Sequence, residues 1–71
     1  RQAEASSMRA RVIAYVVGLV QTYRAALRSP VSRVAQTFYR ERLHALTLEL
    51  ATLQGDDGEA HARRWAKVVP L

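Results

Sequence analysis

The stretch AALRSPVSRVAQTF, residues 25–38, decides how this chain folds. It carries Pro30 between two long runs of regularly spaced apolar residues. Proline lacks an N–H and its ring clashes with the preceding turn, so a helix arriving at Leu27 cannot run through it. A proline is welcome at the first turn of a new helix, and a serine just before it can cap that turn. Ser29 and Pro30 therefore read as the N-cap and first residue of a second helix. Two long helices joined by two or three residues must fold back antiparallel. The fold class that follows is all-α: an antiparallel helical hairpin.

Upstream of the break, the first helix is expected over about 5–27. Met8, Val12, Tyr15, Leu19, Tyr23 and Ala26 recur at three- and four-residue steps, the helical period. Val16, Val20 and Leu27 widen that stripe, and Ile13 and Val17 flank it from another side. A helix apolar most of the way round is one that expects neighbours on several faces. Ala10, Ala14 and Gly18 add a small-residue stripe at four-residue spacing. Glycine inside a helix costs roughly 0.8–1 kcal/mol relative to alanine, and close approach of another helix is the reading that repays it.

Downstream, the second helix is expected over about 30–54. Tyr39, Leu43, Leu46, Leu50 and Leu53 fall at steps of four, three, four and three, a heptad-like seam. Val31, Val34, Ala35 and Phe38 read as extending that apolar face toward the helix start. Gly55-Asp56-Asp57-Gly58 closes it, glycine suiting the residue past a helix end. A third, short helix is expected over about 57–68, with Asp56 and Glu59 spaced as a capping box. Trp65 is its anchor across the open side of the hairpin. The 71 residues form one small helical domain.

Nearly half the residues are apolar, too many for a disordered tail, yet a chain this short shelters a modest share of its surface. Part of that apolar surface is expected to hide against something else. The absence of cysteine excludes disulfides, thiolate metal sites and cysteine nucleophiles. The formal charge is +5, carried by ten arginines and one lysine, and most of it sits in the first helix. Such a balance attracts nucleic acid, an anionic surface or an acidic protein, and composition alone does not choose between them. The uncharged run Val12–Val20 is too short to cross a bilayer, which takes roughly 20 residues. The chain opens on Arg1, as a processed or trimmed product does, so any targeting peptide lies beyond reading.

No pattern of catalytic residues, metal ligands or phosphate-binding glycines stands out, and the chain reads as a non-enzyme with no cofactor and no metal site. His44 and His61 lack local acid or hydroxyl partners and read as solvated surface residues. Asp56, Asp57 and Glu59 lack the alternating ligands of a calcium loop and read as capping residues. The arginines say more, because guanidinium forks grip carboxylates and phosphates bidentately. Arg63, Arg64 and Lys67 form a basic cluster on the third helix, a candidate nucleic-acid contact.

The stretch LVQTYRAALRSP, residues 19–30, resembles the opening helix of the LYR-motif family of small mitochondrial helical adaptors. Tyr23, Arg24, Leu27 and Arg28 follow the family's pattern, and Arg33 and Phe38 resemble its arginine and phenylalanine in the second helix. Thr22 stands where the motif's leucine belongs, the link after Arg28 reads as short, and the first helix begins well upstream. The resemblance implies a mitochondrial location and an acyl carrier protein as partner. Its lipid arm would enter a core helped by Tyr23 and Phe38, while Arg24, Arg28 and Arg33 face its acidic surface.

Three functional expectations follow. The first is a non-catalytic adaptor, assembly factor or accessory subunit of a larger complex, LYR-like in its sharper form. The second is a small basic RNA-binding subunit of a ribosome-like particle. The third is a homodimer, a four-helix bundle packed through Ala10, Ala14 and Gly18 and through Leu43, Leu46 and Leu50.

Overall fold

A computed structural model of the chain describes residues 2–69, with side chains from residue 8 onward. Three helices follow in order: α1 over Gln2–Arg28, α2 over Arg33–Gln54 and α3 over Gly58–Trp65. No strand occurs among the described residues. The hairpin is antiparallel, since Tyr23 near the end of α1 meets Phe38 and Tyr39 near the start of α2. The molecule is an elongated rod of 47 × 21 × 17 Å, its length set by the 27 residues of α1.

The core is a narrow seam. Val12, Val16 and Val20, one turn apart on α1, meet Leu46 and Leu53 of α2, with Ala62 of α3 and Val69 closing the far end. Ile13, Tyr15, Leu19, Tyr23, Leu43, Leu50 and Trp65 pack around them, half-buried. The leucine seam read from α2 is thus the face that meets α1. Full burial of a leucine or valine contributes about 1.5–3 kcal/mol, so most of the stability is held by few side chains. Trp65 anchors α3 as expected: its ring lies 6.3 Å from that of Tyr15 on α1, and its Nε1 donates to Glu49 of α2 at 3.2 Å.

Three local readings need correction. The second helix starts at Arg33, so Pro30 lies in an irregular link over 29–32 that is longer than the two or three residues expected. Ser32, extended at φ −64° and ψ 160°, is the N-cap, and its Oγ accepts from the Ala35 N–H at 3.1 Å. Proline pushes the residue before it out of helical geometry, so Ser29 ends α1 while the next serine opens α2. The Asp56–Glu59 capping box does not form: α3 begins at Gly58 after Asp57, which makes no side-chain capping bond. At φ −91° and ψ 12°, Asp57 lacks the extended backbone that aims an N-cap oxygen at the first turn. Regular α3 ends at Trp65, and the backbone reaches Val69 through turns, with Val68 and Val69 both donating to the Trp65 carbonyl.

The glycines divide sharply. At Gly58 a Cβ would run into the backbone carbonyl of Leu53 and press on Arg9 Cδ at 3.2 Å. Only a residue without a side chain lets α3 turn back this closely under α2. At Gly18 a Cβ would meet nothing within 4 Å, so the close packing read for this position is not made within the chain. Ala10 and Ala14 are exposed on the same side of α1.

Candidate functional site

At the end of the rod where α1 passes into α2, aromatic side chains gather under arginines. Tyr23 is half-buried, its ring centroid 6.4 Å from Phe38 and 5.6 Å from Tyr39, and Phe38 lies 5.5 Å from Tyr39. These are edge or tilted arrangements, the favourable geometry for rings with negative faces and positive edges. The Arg42 guanidinium sits 5.9 Å over the Tyr23 ring. The structure therefore brings Tyr23 and Phe38 together, two of the residues singled out as a partner-binding set. Arg24, Arg28 and Arg33, the other three, are all exposed around the same link.

Charge is concentrated here. Between residues 20 and 42 stand Arg24, Arg28, Arg33, Arg40 and Arg42, with Glu41 the sole acid. The rest of the chain holds six basic residues against five acidic ones, nearly balanced. The rod is thus electrically polar along its length, positive at the hairpin end. Apolar surface is exposed at the same end, where Val34 is 81% and Phe38 52% accessible. This corrects the reading of Val34 and Phe38 as part of the inward face. At about 100° per residue both sit on the side of α2 turned away from Leu43 and Leu50.

The other end is built differently. Glu49 of α2 accepts at one oxygen, Oε2, from both His61 Nε2 and Trp65 Nε1. His61 is therefore no solvated surface residue, as its lack of a local partner suggested; its acid lies 12 residues away across the Gly55–Gly58 turn. His44 is exposed, in line with that reading. The bond from His61 holds the Glu49 carboxyl below its ordinary pKa, with the Trp65 bond adding to it and partial burial opposing both. Glu49, His61, Arg64, Trp65 and Val68 line a shallow groove of about 270 Å³. Arg63 and Arg64 on α3 and Lys67 in the turns after it are exposed, but Asp56, Asp57 and Glu59 share that end and offset them. That balance gives the phosphate-binding reading less support than a net-positive patch would.

Of the residues read as a helix-packing interface, Leu46 is buried and Leu43 and Leu50 are half-buried within the chain's own hairpin. Among the described residues no group of three or more His, Asp or Glu side chains is placed to hold a metal ion. No described helix is long and apolar enough to cross a membrane. No family model, curated protein or solved structure matches the chain.

Proposed function

We propose that the chain is a non-catalytic helical adaptor or accessory subunit that docks an acidic protein at its hairpin end. The observation that carries this reading is the coincidence, at one end of the rod, of exposed Arg24, Arg28, Arg33, Arg40 and Arg42 with the accessible side chains of Val34 and Phe38. Charge alone would suit any polyanion, and apolar surface alone would suit any hydrophobic partner. Together they suit a protein with acids around an apolar contact, where the arginines steer and orient the encounter and the apolar side chains supply the burial. In its sharper form the reading is LYR-like, and the acidic partner is an acyl carrier protein. The half-buried Tyr23 and the outward placement of Arg24, Arg28 and Arg33 accord with that form, whereas exposed Phe38 does not line an interior.

The experiment is mass analysis of what co-purifies with the intact chain, repeated for the Arg24→Glu, Arg28→Glu, Arg33→Glu triple variant. An acidic protein recovered with the parent and lost from the variant supports the reading, and a phosphopantetheine-bearing one supports its sharper form. An RNA, or a second copy alone, overturns it.

A further inference from the structure

α2 has two seams. The first, Tyr39-Leu43-Leu46-Leu50-Leu53, is covered by the rest of the fold. The second lies on the opposite side of the same helix and runs Val34, Phe38, Glu41, Ala45, Leu48, Thr52, at steps of four, three, four, three and four. All six residues are exposed, Leu48 at 57%. This is the a/d spacing by which one helix receives another along about 27 Å. Thr52 fits a covered position because its Oγ1 already donates to the Leu48 carbonyl at 3.1 Å, so burial would not strand the hydroxyl. Phe38 is held in place by the Tyr23 and Tyr39 rings.

We infer that this second seam receives an amphipathic helix of the acidic partner, with a basic side chain in the layer that meets Glu41. The inference rests on the reading above and deepens it by naming what the partner presents. Charge selects this occupant. Glu41 is the only ionised residue in the seam, and covering it without a cation would bury an unpaired charge. The flank carries Arg42, while the flanking acid Glu49 is engaged by His61 and Trp65. Acidic residues bordering the incoming apolar stripe therefore complement that flank. A second copy fits worse: laid parallel it stacks Glu41 on Glu41, and laid antiparallel it seats both carboxylates in the central layers with Arg42 beside Arg42.

The test uses the intact chain and a labelled synthetic helical peptide of about three heptads, followed by fluorescence anisotropy. Its a and d positions are leucine except for one lysine aligned with Glu41, and its flanks are glutamate. Saturable binding is expected, weakened about tenfold or more when the peptide's charges are inverted, and equally weakened by Leu48→Glu in the chain. Circular dichroism checks that Leu48→Glu keeps its helix content, and Leu48→Ala, a milder change, should weaken binding in the same direction. Absence of binding, indifference to inversion, indifference to both Leu48 variants, or tighter binding of a peptide copying residues 33–54 or of polyuridylate would overturn the inference. If the acidic protein still co-purifies through the hairpin-end arginines while the peptide fails, the seam falls and the docking reading stands.

Discussion

The two ends of this rod solve opposite problems. Where α2 turns into α3, the chain is closed: Gly58 leaves no room for a Cβ beside the Leu53 carbonyl, Ala62 and Val69 are buried, and Trp65 reaches both helices. Where α1 turns into α2, it is open: the link is irregular, Val34 and Phe38 are accessible, and Arg24, Arg28 and Arg33 are exposed. The closed end buries Leu53, Ala62 and Val69 and leaves Val68 exposed, while the open end leaves out Val34 and Phe38. The difference teaches that the fold's stability does not depend on its exposed side chains, so substitutions there should leave folding largely untouched and, on the docking reading proposed above, act on partner capture.

The largest effect expected is at the closed end. Leu53→Ala removes a fully buried side chain where three helices meet and should cost about 2–5 kcal/mol, read as a lowered denaturant midpoint. For a domain of this size that approaches the whole stability. Gly58→Ala forces a methyl into the Leu53 carbonyl and should cost about 1–3 kcal/mol, with α3 the first element to lose hydrogen-exchange protection.

The clasp between α2 and α3 should matter less. The Glu49 carboxyl is held below its ordinary pKa, so its stabilising contribution is present above the unfolded carboxyl's pKa. That contribution is lost as pH falls through the lower folded value. Glu49→Gln should flatten this acid limb of the stability profile while costing no more than about 1 kcal/mol near neutrality, since the group is partly exposed. Smallest of all should be the effect of Val34→Ser and Leu48→Ser on the isolated chain, within about 0.5 kcal/mol, because both side chains already face water. The same two changes should weaken partner capture, and that contrast would sharpen the division between the packed side of α2 and its exposed seam.

Much of this architecture was legible in the residue pattern, because periodicity and punctuation are local. Tyr39, Leu43, Leu46, Leu50 and Leu53 announce the inner seam, Pro30 the hairpin, and Trp65 the anchor. What escaped depends on geometry between distant residues or on a choice between neighbours. Ser29 and Ser32 are both good caps, and spacing alone does not choose between them; in the fold Ser32 is the one that caps α2. Gly55, past the end of α2 as expected, is extended at φ −90° and makes no use of glycine's freedom, while Gly58 is required by a contact no spacing reveals. The pairing of His61 with Glu49 spans a turn and leaves no short motif. The second seam of α2 did have a signal, the four-three steps of Val34, Phe38, Ala45 and Leu48, but Glu41 interrupts it and the stronger leucine seam masks it. At the hairpin end, the residue types of Tyr23, Arg24, Arg28, Arg33 and Phe38 were visible. Their gathering on one end of the rod, joined by Val34 and Arg42, became visible only in three dimensions.

The central claim is that this fold leaves part of its oily surface uncovered, at Val34, Phe38 and Leu48, and that a second protein covers it. Native mass spectrometry of the chain drawn gently from cells that make it tests this most directly. The account predicts a mass exceeding one copy by that of an acidic polypeptide, and a stripped chain that binds a hydrophobic dye. A stable lone copy that ignores the dye would contradict it.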